Sequence, residues 1–281
     1  MKIATWNIEG RLAGYLQKPG RGTPEKIIKE IANLDADVIV LPEFYNGTAM
    51  AFTAKKELQE LGYEWLETAY NDPDREEEIA LYGKSHIAIL SRIGFISKDI
   101  IRFGGIRDLP VAVVRDPVTK KSVRIIGAHL EDRSEARRQQ QLNELTPFIN
   151  KQPMPTVLLG DLNALWPGIR ASIITSFIVR FVAIVLPYGN LRSELSRLIE
   201  MARGTTMKRL RDEAHLNETD KKRQPTVTPK KRNLPYLPGV PLCQIDHILI
   251  SSDMKSTDFK VAKDGGSDHR AISVTIAIKN E

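Results

Sequence analysis

The segment Thr156-Val157-Leu158-Leu159-Gly160-Asp161-Leu162-Asn163 decides the fold, because an apolar run passes directly into a carboxylate and an amide side chain. A short, wholly apolar run that is bounded by glycine is typical of a buried strand. In sheets with buried strands, ligands bind where the strands end. Residues two apart on an extended chain face the same side, so Asp161 and Asn163 are expected to point together into a site.

Five further blocks place carboxylate, amide or imidazole side chains at or beside the ends of apolar runs. They are Thr5-Trp6-Asn7-Ile8-Glu9-Gly10, Leu41-Pro42-Glu43-Phe44, Ala128-His129-Leu130-Glu131, Gln244-Ile245-Asp246-His247 and Ser267-Asp268-His269. Strands that converge in a sheet can bring such ends to one rim. A rim lined with Glu, Asp, Asn and His suits a hard divalent cation and a phosphate ester.

This set of blocks, in this order, resembles the endonuclease/exonuclease/phosphatase superfamily, whose fold is that of DNase I-like nucleases. The resemblance covers residues 1–165 and 236–281. It implies a single domain over residues 1–281 with an α/β architecture, a two-sheet sandwich flanked by helices. Residues 166–235 are expected to form an inserted helical and basic segment within that domain. The alternation of apolar strand-like runs and amphipathic helices agrees with such an architecture.

The resemblance implies a Mg²⁺-dependent hydrolase in which Mn²⁺ can substitute. Glu43 matches the principal metal ligand, and Asn7, Glu9 and Asp268 match positions that assist it. A carboxylate at the end of an apolar strand is costly without a partner, which independently favours a cation at Glu43. Glu9 stands where other members often carry Asp, so its extra methylene alters its reach toward the metal.

The remaining matched positions imply roles in proton transfer and phosphate binding. Asp161 is expected to orient or deprotonate water, and Asn163 to donate a hydrogen bond to the phosphoryl oxygen. Asp246 is expected to orient His269, which either binds a phosphate oxygen or acts as a general base. His129 matches a histidine near the leaving group in DNase I-like and phosphatase-like members. Abasic-site endonucleases tend to carry a tyrosine motif there instead.

Composition and the start of the chain indicate a cellular compartment. Hydrophobic residues make up 42% of the chain and charged residues 27%, which is ordinary for a globular protein. The single cysteine, Cys243, cannot form an internal disulfide and fits a reducing compartment. The first apolar run begins at Ile3, which leaves no room for a signal peptide ahead of it. We therefore expect a cytoplasmic protein.

The net charge of +6 is concentrated in one part of the chain. Residues 166–235 contain fourteen Lys and Arg against six Asp and Glu, a net charge of +8 that leaves −2 for the rest. A basic segment beside an acidic site favours a polyanionic partner, either nucleic acid or an anionic membrane surface. A charged surface that only meets solvent is the plainer alternative.

Within this segment, the pattern predicts a helical hairpin followed by an exposed basic loop. Ile169–Leu186 is almost wholly apolar and Leu191–Ala202 is amphipathic, while Lys221–Arg232 is rich in cations and proline. The apolar half could lie in a membrane interface, dock a partner or simply pack on the sandwich. It is too short and too interrupted to predict a transmembrane span.

These features favour a Mg²⁺-dependent phosphoesterase that hydrolyses phosphodiester bonds as an endo- or exonuclease. A phosphatase or phospholipid phosphodiesterase is the alternative, favoured by His129 and by the apolar half of the predicted hairpin. A tyrosyl-DNA phosphodiesterase is a further alternative, although Glu9 and Arg270 stand where that branch has Asp and an aromatic residue. The intact set of site residues argues against a catalytically inactive binding module.

Overall fold

The computed structural model describes residues 1–13, 22–70, 84–103, 107–166, 201, 204–227, 243–263 and 265–279. Within these ranges the chain forms two mixed sheets of six strands each, with helices packed against them. This is the predicted α/β two-sheet sandwich. Apart from Met201, the predicted hairpin over residues 169–202 lies outside the described residues, as do Lys230, Lys231 and Arg232.

The first sheet combines strands from both ends of the chain. Its strands are β1 (Lys2–Thr5), β2 (Val38–Tyr45), β3 (Glu64–Tyr70), β4 (Ser85–Ser91), β11 (Met254–Val261) and β12 (Ile272–Ile278), in the order β11-β12-β1-β2-β4-β3. β1 and β2 are parallel, with Ile3 opposite Val38. Their C-terminal ends therefore open at the same edge of the sheet.

The second sheet lines up three of the predicted site residues by its register. Its strands are β5 (Ser97–Ile101), β6 (Leu109–Arg115), β7 (Ser122–His129), β8 (Thr156–Asp161), β9 (Leu216–Glu218) and β10 (Asp246–Ser251), in the order β5-β6-β7-β8-β10-β9. His129 lies opposite Asp161 in the parallel pair β7–β8. Asp161 lies opposite Asp246 in the antiparallel pair β8–β10.

Strand β2 explains why every residue from Val38 to Leu41 is apolar. Val38 and Val40 pack in the cluster between the two sheets. Ile39 and Leu41 point the other way, into a second cluster with the helices that cover the first sheet. Because successive side chains alternate between faces, a strand that is buried on both faces reads as one continuous apolar run.

Four α-helices among the described residues pack on the sheets. They are α1 (Pro24–Leu34), α2 (Ala49–Glu60), α3 (Glu135–Lys151) and α4 (Thr206–Asp212). Thr23, Thr48 and Ser134 precede the first three helices, and each side-chain oxygen accepts the backbone N–H three residues later. Such caps satisfy amides that have no partner inside the helix. α1 and α2 cover the first sheet, and α3 and α4 pack on the second.

The sequence did not predict the four strands that form the edges of the sheets, namely β3, β5, β9 and β11. Edge strands carry exposed and charged side chains, so their apolar signal is weak. β11 illustrates this, because most of its residues are at least partly exposed. β9 and α4 both lie within residues 166–235, the segment expected to be an insert. Residues 206–218 supply a helix and an edge strand of the sandwich itself.

The described part of the basic segment agrees with the predicted loop. Lys221, Lys222 and Arg223 are exposed. No helix among the described residues has the length and apolarity needed to cross a membrane.

Gly160 is the position where the packing of β7 against β8 tolerates no side chain. Its φ is +145°, and a Cβ there would lie 1.9 Å from the carbonyl oxygen of Ala128. We expect Gly160→Ala to lower the free energy of unfolding by about 2–5 kcal/mol, because backbone strain adds to a steric clash. The midpoint of urea unfolding measures the loss.

Gly62→Ala is the matched control for this change. Gly62 also has a positive φ, +88°, but a Cβ there meets nothing within 4 Å. Only the backbone cost of about 1–2 kcal/mol should remain. Equal losses for the two variants would show that the contact with Ala128 relaxes freely.

Candidate active site

The predicted site residues converge on the carboxylate of Asp161, which is buried at the end of β8. Asn7, just beyond β1, donates from Nδ2 to Asp161 Oδ2 at 3.0 Å. His129 Nε2 lies 3.7 Å from that oxygen, and His269 Nε2 lies 3.8 Å from it. Three residues from distant parts of the chain thus meet at one rim, namely Asn7 after β1, His129 at the end of β7 and His269 before β12.

Glu43 joins this cluster through the same asparagine. Asn7 Nδ2 also donates to Glu43 Oε1 at 3.1 Å, and His129 Nε2 lies 3.8 Å from that oxygen. Glu43 has a φ of +54° and sits where the β2–β4 register shifts between Leu41 and Phe44. Such bulges re-aim a side chain. Two carboxylates are therefore held around one amide, partly shielded from solvent.

The predicted pair of Asp246 and His269 is present. His269 Nδ1 lies 2.8 Å from Asp246 Oδ2, and both residues are buried. The backbone N–H groups of Ile245 and Asp246 donate to Thr226 Oγ1 at 3.2 Å each. Thr226 was not predicted, because it lies in the basic segment, far from any recognisable block. It fixes the start of β10 and so the position of the Asp246 carboxylate.

The loop before His269 is tied down rather than free. Trp6 Nε1 donates to the His269 carbonyl at 3.0 Å, and Ser267 Oγ donates to the Asn7 carbonyl at 2.7 Å. A Cβ on Gly265 would lie 2.6 Å from the Trp6 ring, and Gly266 has a φ of +109°. These glycines allow close packing, because a Cβ at Gly265 would meet the Trp6 ring and one at Gly266 the backbone of Gly22.

Asn163 is not on an extended segment with Asp161, contrary to the alternation argument. Its φ is +47°, and its N–H donates to Asp161 Oδ1 at 3.0 Å in a turn that follows the strand. Its side-chain Nδ2 donates to the carbonyl of Leu130 at 3.0 Å. Asn163 still lies buried beside Asp161, and its contact with a phosphoryl oxygen stays a prediction.

The four predicted metal residues have different surroundings. The Asn7 amide donates to Glu43 and Asp161 as described, while its Oδ1 accepts the N–H of Glu9 at 3.0 Å. The Glu9 carboxylate forms a buried ion pair with Arg11. Asp268 is half-buried next to His269. Glu43 and Asn7 thus lie in the cluster around Asp161, whereas Glu9 neutralises an arginine.

Burial and charge set the protonation of the two central groups. Burial, aided by the charge of Asp246, raises the pKa of Asp161 to about 7, although His269 acts in the opposite direction. Burial alone would lower the pKa of His269, but Asp246, Asp161 and Asp268 outweigh it and hold that pKa well above its usual value. At neutral pH the imidazolium form of His269 is therefore favoured.

The donor set fits a hard divalent cation. Ligand atoms of Asp161, Asp246 and His269 lie within 4.8 Å of one another, and Glu43 adds a further carboxylate through Asn7. Asp246 Oδ1 is buried and has no hydrogen-bond partner among the described residues. Oxygen-rich anionic sites favour Mg²⁺ or Mn²⁺ over softer metals.

The other three histidines are not among the residues that meet around Asp161. His247 is buried on the opposite face of β10, with Nδ1 on Glu218 Oε2 and Nε2 on the Ala164 carbonyl. His86 is buried at the start of β4, and His215 is exposed. They have structural or solvent-facing positions.

Comparisons with known proteins agree with this geometry. The model of the Endonuclease/Exonuclease/phosphatase family matches residues 4–269. No curated protein matches the chain.

Solved structures resemble the chain over nearly its whole length. An endonuclease/exonuclease/phosphatase from Beutenbergia cavernae DSM 12333 is 20% identical, with a TM-score of 0.68 over 99% of this chain and 71% of that one. The human Nocturnin catalytic domain with bound sulfate is 15% identical, with a TM-score of 0.64 over 99% and 93%. D. rerio TDP2, complexed with a single-stranded DNA product, is 16% identical, with a TM-score of 0.58 over 99% and 98%. At these identities the likeness establishes the fold.

Proposed function

Because the chain belongs to the endonuclease/exonuclease/phosphatase family, we propose that it is a cytoplasmic, Mg²⁺-dependent phosphoesterase that hydrolyses phosphodiester bonds in nucleic acid. The observation that carries the proposal is the meeting of Glu43 and Asp161 around Asn7, beside the Asp246–His269 pair. Carboxylates for a cation and a charged imidazole for a phosphate are the two requirements of phosphate-ester hydrolysis.

Glu43 would be the principal ligand of Mg²⁺ or Mn²⁺, with Asn7, Glu9 and Asp268 as the predicted assistants. The bound ion would offset the negative charge of the ester and of the leaving oxygen. Asn7 orients the Glu43 carboxylate by donating to it at 3.1 Å. Arg11 reduces the negative charge of Glu9, which leaves Glu43 as the stronger ligand.

Other side chains of the site transfer the proton and bind the phosphate. Asp161 accepts the proton of the attacking water, since a base with a pKa of about 7 is suited to that role at neutral pH. His269, charged and held by Asp246, binds a non-bridging phosphate oxygen. His129 lies near both Glu43 and Asp161. The resemblance to the family assigns the matching histidine to the leaving group. Asn163 donates its second amide hydrogen to the phosphoryl oxygen.

Two observations favour nucleic acid as the substrate. Lys221, Lys222 and Arg223 are exposed and form no ion pair with any carboxylate in the described part of the chain. D. rerio TDP2, which has a similar fold, was solved with single-stranded DNA product. A phosphatase or phospholipid phosphodiesterase is the second candidate, favoured by the position of His129 between the two carboxylates.

The experiment that tests the proposal is hydrolysis of a substrate panel with Mg²⁺. The panel holds single-stranded and duplex DNA, RNA, a 5′-tyrosyl oligonucleotide, inositol phosphates and sphingomyelin. Cleavage of DNA or RNA is expected. Cleavage of only the inositol phosphates or sphingomyelin would replace the nuclease with the second candidate.

Neutralising the basic loop should separate polymer binding from chemistry. With Lys221, Lys222 and Arg223 changed to glutamine, we expect weaker binding of single-stranded DNA and a salt dependence flatter by about 0.7 per lost phosphate contact. Hydrolysis of bis(p-nitrophenyl) phosphate should persist, because that ester is too short to reach the loop. Binding titrations at four salt concentrations measure the slope.

The matched control changes Lys26, Lys29 and Lys56 to glutamine. It removes the same number of positive charges from exposed positions on α1 and α2, outside the basic loop. An equal change in slope for both triple variants would mean that the loop has no special role.

A further inference from the structure

Trp166 lies five residues beyond Asp161, on the segment that leaves β8, and two arginines stand over it. Its side chain is only partly buried against the core. The Cζ atoms of Arg223 and Arg211 lie 5.5 Å and 5.8 Å from its ring centroid. Trp166 Nε1 donates to Glu218 Oε2 at 3.2 Å, which fixes the plane of the ring. A partly exposed indole beside two guanidinium groups presents an aromatic surface with positive charge around it.

The arginines are placed by the fold rather than by chance. Asp220 is buried, and its carboxylate accepts the N–H of Lys222 at 2.9 Å and the N–H of Gln224 at 2.6 Å. This turn holds Arg223 against the indole from one side. Arg211 lies in the last turn of α4, which precedes β9 in the chain, whereas Arg223 follows β9. The loop of Arg223 is therefore ordered before any ligand arrives, whereas Arg211 is exposed and its guanidinium pairs with the Asp212 carboxylate at 2.6 Å.

Two segments of the chain join this surface to the active site. The loop that carries Arg223 runs on to Thr226, which accepts the Asp246 N–H, and to Val227, which forms a β-bridge with His269. In the other direction, the five residues from Asp161 to Trp166 span at most about 18 Å. A short strand of nucleic acid with its scissile phosphate at Asp161 could therefore reach the indole.

We propose that Trp166, together with Arg211 and Arg223, is a stacking platform for the unpaired bases of a single-stranded nucleic acid substrate. The proposal rests on the proposed function and names its substrate class. Aromatic rings and guanidinium planes bind bases through their faces, without reading sequence. Lys221 and Lys222 lie on the same loop and supply charge for the flanking phosphates. Bases inside a duplex are already stacked, so the platform favours single strands.

The test compares two labelled oligonucleotides of equal length, oligodeoxythymidylate and its abasic analogue, which carry the same phosphates. Binding is measured in excess chelator, so no hydrolysis is needed. The wild-type protein should bind the thymidylate strand more tightly. Trp166→Ala should weaken that binding by about 5- to 150-fold and leave the affinity for the abasic strand unchanged. Trp166→Phe, which keeps an aromatic face, should retain most of the preference.

Phe95→Ala is the matched control. Phe95 is also partly buried against the core, and Lys98 Nζ lies 4.7 Å from its ring centroid. It follows β4, whose last residue, Ser91, pairs with Val38 at the opposite end of β2 from Glu43. This change should alter neither affinity. If Trp166→Ala does not fold, quenching of indole fluorescence by the thymidylate strand, lost in Trp166→Phe, provides the second measurement.

Three outcomes would overturn the platform. In the first, the wild-type protein binds both strands with equal affinity. In the second, Trp166→Ala keeps the wild-type preference for the thymidylate strand. In the third, Trp166→Ala loses binding only to anionic phospholipid vesicles. The proposed function fails separately. If binding depends on the bases but no strand is cleaved, the nuclease proposal is refuted and the stacking platform stands. If strands are cleaved but Trp166→Ala binds them as wild type does, the platform is refuted and the nuclease proposal stands.

Discussion

Replacing Glu43 with glutamine is expected to lower kcat by about 100-fold or more while leaving the fold intact. Loss of an outer partner of a metal ligand costs 10- to 100-fold, so loss of the principal ligand's charge should cost at least as much. The amide of glutamine can still accept the Asn7 hydrogen bond that Glu43 Oε1 accepts at 3.1 Å. The loss should therefore reflect the cation and not the packing. The measurement is turnover against Mg²⁺ concentration, with the unfolding midpoint as a check.

Glu57→Gln is the matched control, because Glu57 is exposed on α2. It should have wild-type turnover at every Mg²⁺ concentration. Chelator-treated wild-type protein should be inactive and recover with Mg²⁺ or Mn²⁺. Full activity in excess chelator would refute the metal-dependent mechanism, whatever Glu43→Gln does.

Breaking the Asp246–His269 pair is expected to have the next largest effect. His269→Ala removes the group that binds the phosphate, and Asp246→Asn removes the carboxylate that holds His269 Nδ1 at 2.8 Å. We expect each change to lower kcat by about 10²- to 10⁴-fold. Because the residues act as a unit, the double variant should be little worse than the worse single variant. Steady-state kinetics on one nucleic acid substrate give all four rates.

His215→Ala is the control for histidine removal, since His215 is exposed. Its turnover should match that of wild type. If the two single losses multiply in the double variant, then Asp246 and His269 contribute independently and the pairing has no catalytic meaning.

Strand ends were the most predictable part of the molecule. Blocks that end in Glu43, His129 and Asp161 follow apolar runs, and a run that is buried on both faces leaves a strong signal in the sequence. The strand register then brings these residues together, because strand pairing places His129 and Asp246 on either side of Asp161. Only the order of the blocks, and not their spacing, was needed to expect one rim.

The local backbone was less predictable. Asn163 and Glu9 both adopt a positive φ, which no periodicity signals. Glu9 forms a buried ion pair with Arg11, two residues away, a contact that the block pattern did not predict. Thr226 reaches Asp246 across nineteen intervening residues. Such contacts are set by tertiary packing, and a sequence pattern carries no trace of them.

The link between Asn7 and the loop before His269 has a consequence for biosynthesis. Ser267 Oγ meets the Asn7 carbonyl across 260 positions of the chain, and Trp6 meets His269 across 263. Contacts this distant require closure of the intervening chain, which costs conformational entropy. A ribosome-bound chain holds Asn7, Glu43 and Asp161 long before it holds His269. The proposed site therefore cannot be complete until residues 267–269 have been synthesised and have met the start of the chain.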